Sequence, residues 1–487
     1  MRDSIRDSTG EARQKWGVSF FQNSDNITWM RILLVTPYNR TYVIMPSLGL
    51  GYLASIARKA GHEVSILHCI KERIRPDDFG DIIKRDFYDI VGFQVFSYDL
   101  YNVKRYLEVI KKLSPRTITI AGGAHPSGDP LHTMQYLDKL DFAFVGEAEI
   151  GFSKFLELVM SNKKDYPTIP GLVFRKDGTV SVNPPEYVDD LDSLPMPAWD
   201  IIKPETYPEA PHGAFTRQFP TAPIIITRGC PFTCTFCAGK SITGLKMRAR
   251  SVDNVIDELK YLKKRGIREF HIEDENFTAR KRLVMDFCER LLRERLCMSW
   301  SLPAGVRIDT LTREMLVLME KAGCYSMALG IEFGSQRMMD VTKKRLSLEL
   351  IREKLELFNG LNIKKTGFFL FGIPGESIEE MEETVRFALS LPIERAQFNN
   401  FMPLPGSELW ELLKKAGKLE DIDWRKFFVH DVAYTDPGIT PKDLKRIQRM
   451  AYIRFYMRPK VIMKVLKEIR SLRHLKFLMR RFFDALR

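Results

Sequence analysis

The chain has 487 residues, 45% hydrophobic and 28% charged, an ordinary globular mix long enough for two or three domains. It holds no run of about 18 uncharged apolar residues, so no bilayer-spanning helix is predicted, and residues 1–29 lack the apolar core of a signal peptide. The net charge is +13, and the last 47 residues, with 15 Lys/Arg against 3 Asp/Glu, carry +12 of it. A body so close to neutral argues against nucleic-acid binding. Seven cysteines, three of them within eight residues, read as a metal site in a reducing cytoplasm and not as a disulfide framework.

Met30 is followed at once by Arg31-Ile32-Leu33-Leu34-Val35, a first strand, so residues 1–29 read as a loose extension or as lying upstream of the true start. The β-rich runs at 32–36, 63–67, 90–96, 117–121 and 142–145 alternate with helical segments at 48–59, 101–113 and 150–160. They predict a Rossmann-like five-stranded parallel sheet, helices on both faces, over residues 30–160. Ligands of such sheets bind at the carboxyl ends of the strands. Residues 161–222, rich in Pro, Asp and Gly, predict a linker or wrapping segment with a hairpin at Lys176-Asp177-Gly178. Six further strands (224–227, 269–272, 299–303, 327–331, 366–371, 396–401) alternate with helices at 252–264, 281–293, 313–322, 348–358 and 378–389. They predict a partial (β/α)6 barrel over 223–410, with its chemistry at the strand ends. Residues 411–487 predict a helical, basic C-terminal tail. Beyond Pro459, apolar residues from Ile462 to Leu486 recur every three or four positions. This amphipathic helix either packs its apolar face on the barrel with its charges solvated, or lies peripherally on an anionic membrane.

Cys230, Cys234 and Cys237 follow the first barrel strand in the run Cys230-Pro231-Phe232-Thr233-Cys234-Thr235-Phe236-Cys237. Cys thiolates hold iron–sulfur clusters, and three on a cubane leave one iron open to a small chelating molecule. A structural zinc site would need a fourth ligand, and no other Cys or His lies nearby.

This C-x3-C-x2-C run on a loop after a strand resembles the radical S-adenosylmethionine superfamily over roughly residues 223–410. The resemblance implies one [4Fe–4S] cluster on Cys230, Cys234 and Cys237, with S-adenosylmethionine bound at the open iron. It implies cofactor contacts for Phe236, near the adenine, and for Asp274, Arg307, Glu332 and Gly372 at successive strand ends. The first domain is similar to the cobalamin-binding class of that superfamily, through Pro46-Ser47-Leu48-Gly49-Leu50-Gly51-Tyr52-Leu53, Ala121-Gly122-Gly123-Ala124-His125-Pro126 and Val145-Gly146-Glu147-Ala148-Glu149. This implies cobalamin contacts for Gly49, Gly122, Gly123, His125, Gly146 and Glu147. The loop after the first strand holds no His, so cobalamin is expected without a His ligand to cobalt.

The function implied is a cobalamin-dependent radical enzyme that transfers methyl to an unactivated carbon. It would act on a small-molecule or lipid substrate and draw on an external one-electron reductant. Two alternatives share the same residues: an oxidative cyclase or rearrangement enzyme of porphyrin or lipid type, and a non-enzymatic iron–sulfur electron-transfer protein.

Overall fold

The computed structural model describes residues 29–39, 41, 44–208, 216–420, 422–428, 431–459 and 461–463. The expected tail helix beyond Pro459 lies almost wholly outside the described residues.

The first sheet is built on strands β1 (Arg31–Thr36), β2 (Glu63–His68), β3 (Ile90–Gln94), β4 (Ile118–Gly122) and β5 (Phe142–Phe144), all parallel. Ile32, Leu33, Leu34 and Val35 are all buried, as the near-continuous apolar run of a strand covered on both faces requires. Five strands were expected, and the sheet has seven. The Asp177-Gly178 turn, both residues at positive φ, closes a two-residue hairpin. Its strands β6 (Leu172–Lys176) and β7 (Thr179–Val182) extend the sheet antiparallel from β5, giving the order β2-β1-β3-β4-β5-β6-β7. What composition marks as a linker therefore begins as sheet. The order reverses direction between β1 and β3, the switch point at which such sheets form their crevice.

The second body follows from β8 (Thr221–Ile224) and a short ladder of β9 (Thr227–Arg228) with β10 (Arg248–Ala249). Strands β11 (Glu269–Ile272), β12 (Ser299–Val306), β13 (Cys324–Glu332), β14 (Lys364–Phe371) and β15 (Arg395–Asn400) complete it. With β8 they form six sequential parallel strands, an open barrel. Its last edge is covered by helix Pro441–Tyr456. Gln448 donates to the Phe398 carbonyl (2.7 Å), Phe398 N–H donates to the Tyr452 hydroxyl (3.2 Å), and Tyr456 donates to the Ala396 carbonyl (2.8 Å). Side chains thus satisfy a strand edge that would otherwise invite another strand.

The chain also returns to its first domain. Trp410, Trp424 and Phe427 lie in the core on one face of the first sheet, beside Val91, Phe93 and Val145. Trp424 stands edge-on to His125 at 5.0 Å and tilted over His132 at 4.9 Å. Trp424→Ala should cost about 3–5 kcal/mol, as truncation of a large buried aromatic does. Hydrogen exchange of the helix Ala124–Gly128 should accelerate accordingly; unchanged exchange there would show that the C-terminal segment does not stabilise the first domain.

A candidate cofactor cleft between sheet and barrel

The cysteine loop leaves the β9/β10 ladder through Gly229, whose φ of +90° sets the turn and where a Cβ would lie 2.4 Å from the Lys246 carbonyl oxygen. The loop is tied down by backbone bonds. Cys230 N–H reaches the Gly244 carbonyl, Thr235 N–H the Thr342 carbonyl, and Leu409 N–H the Thr235 carbonyl, at 3.3, 3.0 and 2.9 Å. Cys230 and Cys234 are half-buried; Cys237 is exposed as a residue, while its sulfur lies among protein atoms. Burial pushes the Cys230 and Cys237 thiols up. Gly239 N–H, bonded to Cys237 Sγ at 3.4 Å, opposes this. Among the described residues no group of three His, Cys, Asp or Glu forms a cage for a single metal ion. A cubane asks for a different arrangement, since each thiolate binds its own iron. Of the other cysteines, Cys69, Cys288 and Cys324 are buried elsewhere in the two cores.

Arg307, at the end of β12, stands beside this loop. Its guanidinium lies 3.8 Å from the Phe232 ring centroid, 3.9 Å from Cys234 Sγ, and in ion-pair contact with Asp309 at 2.9 Å. It also donates to the Lys344 carbonyl at 2.9 Å. The buried Lys344 ammonium pairs at 3.1 Å with Glu332. Glu332 ends β13 at φ +70°, in the left-handed region, next to a register shift in the ladder to β14. A non-glycine residue held there carries strain of about 1–3 kcal/mol, of the kind that collects at functional sites. Phe236 meets Phe333 edge-on at 6.2 Å. Phe236, Arg307 and Glu332 are therefore drawn towards the cysteine loop.

Asp274 and Gly372, the other two residues expected at the cofactor, have protein partners. Asp274 is buried, and its oxygens accept from Ile226 N–H (2.8 Å), Thr227 N–H (2.8 Å) and the Thr227 hydroxyl (2.7 Å); it clamps the turn before the cysteines. Gly372 packs under the last helix, where a Cβ would lie 3.0 Å from Leu444. Its N–H and that of Ile373 donate to one oxygen of Glu376, at 2.7 and 3.1 Å.

A cavity of about 230 Å³ opens at the carboxyl ends of β1, β3, β4 and β5. Gly49, Gly122, Gly123, Gly146 and Glu147 line it, with Leu34, Phe93, Ile120, Phe144 and Phe152 as its apolar wall, and Ile225, Arg228, Glu273 and Glu275 from the barrel. A Cβ on Gly49 would meet nothing within 4 Å, and one on Gly122 only Phe144 at 3.9 Å, so bare backbone faces open space. His125 is absent from this lining. It is buried, with Nδ1 at 2.9 Å from the Ser97 hydroxyl and Nε2 at 3.1 Å from His132 Nδ1. Its neighbour in sequence, Gly123, is the group that faces the cavity, because the helix starting at Ala124 turns the imidazole into the core.

Glu147 lines the cavity but spends its carboxylate on the barrel. It forms a two-pronged pair with Arg248 (2.6 and 2.8 Å) and lies 3.3 Å from Arg228, while Glu149 meets Arg228 at 2.8 Å. Arg228, Arg248 and Lys344 escape a motif search because each is a charged residue unremarkable in its own segment. The acidic Glu147-Ala148-Glu149 and the basic Arg248-Ala249-Arg250 are the only signals, and spacing does not say that they meet.

The fold defines an α/β enzyme in which a doubly wound sheet and an open barrel share one cleft. Residues 224–388 match the model of the radical SAM superfamily, and residues 38–156 that of the B12 binding domain. The chain is 30% identical to an uncharacterized methyltransferase of Pyrococcus horikoshii, over 89% of this chain and 94% of that protein. It is 31% identical to the cytidylyl-2-hydroxyethylphosphonate methyltransferase of Streptomyces wedmorensis, over 74% of this chain and 76% of that one. Its fold resembles that of the radical S-adenosylmethionine methyltransferase TsrM from Kitasatospora setae, with a TM-score of 0.69 at 16% identity over 88% of this chain and 90% of that one. The chain belongs to the B12-binding radical S-adenosylmethionine superfamily.

Burial pushes Glu376 from its ordinary value of 4.5 up to about 8. The folded chain holds this proton more tightly than the unfolded one. Its contribution to stability is therefore complete below about pH 4.5 and lost as pH rises through about 8, a change on the order of a few kcal/mol. Glu376→Gln keeps an acceptor for Gly372 and Ile373 but cannot ionise. Denaturant unfolding at pH 5 and pH 8 should show wild type losing ground to the variant at the higher pH; parallel losses would refute the buried, protonated carboxyl.

Proposed function

We propose that this enzyme transfers a methyl group to an unactivated carbon of a small molecule or lipid, using a [4Fe–4S] cluster, S-adenosylmethionine and cobalamin, and an external one-electron reductant. The observation that carries this reading is a bare-backbone cradle in a cleft lined by both domains, with the three-thiol loop starting two residues after Arg228 of that lining. Both donor sets fit their groups. Cys230, Cys234 and Cys237 would hold the cluster, with Arg307 and the Gly239 N–H placed to offset thiolate charge. Phe236 and Glu332, the latter fixed by Lys344, would hold S-adenosylmethionine, with Arg307 as a third contact and Asp274 and Gly372 shaping the wall behind it. Gly49, Gly122, Gly123 and Gly146 would let a corrinoid approach the sheet, and the apolar wall suits a flat aromatic group. When bound, these groups supply one-electron cleavage of the sulfonium and a transferable methyl. The protein's share is to position them and exclude water.

Protein reconstituted anaerobically and reduced with dithionite should release 5′-deoxyadenosine and take up cobalamin, read by its visible absorption. Alanine at any of the three cysteines should abolish the first. Gly49→Leu, which fills the cradle, should abolish the second and leave the cluster intact. Full nucleoside release from a cysteine variant, or no corrinoid uptake by wild type, overturns the assignment.

A second part of the reading concerns location. No helix among the described residues is long and apolar enough to cross a membrane. Helix Pro441–Tyr456 turns Lys442, Arg446, Arg449 and Arg454 outward together with Ile453, and exposed Met457 follows it. This mixture suits the surface of an anionic bilayer, where each cation contributes about 1 kcal/mol. Vesicles of phosphatidylglycerol and phosphatidylcholine should sediment the protein, those of phosphatidylcholine alone should not, and Arg446→Glu/Arg449→Glu should weaken binding at least tenfold. Equal sedimentation by both lipids would exclude an electrostatic contact.

A further inference from the structure

We infer that the buried knot of Glu147, Glu149, Arg228 and Arg248 is a positioning device that fixes the cysteine loop relative to the glycine cradle; this rests on the function proposed above. The two arginines lie directly opposite each other on the β9/β10 ladder. Like charges so placed repel, so the ladder needs a counter-charge from elsewhere. Both acids come from the other domain, where they flank the cavity floor, and all four side chains are more than nine-tenths buried.

The knot reaches each cofactor region by a short path. Only Gly229 separates Arg228 from Cys230, and that turn has no slack, because the Lys246 carbonyl closes it. Arg248 also donates to the Thr243 and Val188 carbonyls, both at 2.8 Å. The Thr243 hydroxyl in turn donates to Glu275, at 2.8 Å, in the cavity wall. On the other side, Gly146 precedes Glu147 in the chain. A displacement of either arginine is therefore passed to the loop on one side and to the cradle on the other. Apolar packing could hold two domains together at least as strongly as buried charges do. What the two-pronged pair adds is a defined distance and angle.

Two full-length variants test this. Glu147→Gln keeps the shape and removes the charge; Arg248→Lys keeps the charge and removes the fork. In the cofactor-free protein, amides of residues 228–248 should exchange at least tenfold faster in both variants. In the loaded protein, each variant should bind cluster and cobalamin at wild-type stoichiometry. The magnetic coupling between the reduced cluster and cob(II)alamin, read by electron resonance, should weaken. Unchanged exchange and coupling overturn the inference. So does lower stability with unchanged coupling, which would make the knot mere adhesive. Loss of corrinoid from Glu147→Gln with wild-type exchange would make Glu147 a direct ligand instead. If wild type takes up no corrinoid, the proposed function fails while the exchange measurement still judges the knot. If one variant does not fold, the other decides.

Discussion

Two arginines facing each other on a two-residue ladder, inside the protein, form an arrangement that cannot stand alone. Desolvating a single charge costs several kcal/mol, and removing one partner of a buried pair costs about 3–5 kcal/mol. Glu147 and Glu149 make the arrangement neutral, and they can do so only if the first domain sits against the barrel. The rings of Tyr52 and Tyr187, 5.1 and 5.2 Å from the two guanidiniums, help close the site against water. Arg250, the residue after β10, forms a second buried pair with Glu258, which also accepts from Trp199 of the wrapping segment at 2.9 Å. One short stretch of alternating side chains thus ties together the barrel, the sheet and the chain between them.

The cleft is pinned on another side by packing. Pro405-Gly406, after β15, sits between the helix that follows the cysteines and the helix that follows Gly123. A Cβ on Gly406 would lie 2.6 Å from the Ser241 hydroxyl, and one on Gly128 would lie 2.1 Å from the Pro405 carbonyl oxygen. Two glycines are needed here because three backbones converge. From this junction the chain continues into Lys414, which pairs with the buried Asp129, and on to Trp424 over the His125–His132 pair. The C-terminal segment is therefore part of the first domain's core as well as a cover for the barrel edge.

Much of this was legible in the sequence, for reasons that differ by residue. Strand and helix periods located both sheets because central strands such as β1 and β3 are buried on two faces and read as near-continuous apolar runs. The cysteine spacing was legible because cluster chemistry constrains it locally. The glycines after β4 and β5 were legible as turn residues: Gly123 and Gly146 sit at positive φ, where a Cβ would meet Val95 and Pro185. His125 was ambiguous for a physical reason: a polar ring after a Gly-Gly turn looks solvent-facing, yet Ser97 and His132 satisfy both nitrogens inside the core. Asp274 was ambiguous in the same way, since a carboxylate at a strand end serves either a ligand or a neighbouring turn, and here it accepts from Ile226 and Thr227. The hairpin at Asp177 was read correctly as a turn. Its membership of the sheet depended on pairing with β5, a long-range fact that composition does not encode.

Glu332 shows how these constraints meet. Its backbone is left-handed, at φ +70°. Lys344 holds its carboxylate, and the Lys344 carbonyl is held by Arg307, which stands against Phe232 and Cys234 of the cysteine loop. The strained residue is thus tied through three side chains to the same loop that Arg228 anchors from the other end. Buried charge therefore holds the cysteine loop at two points, Arg228 ahead of Cys230 and Arg307 against Cys234.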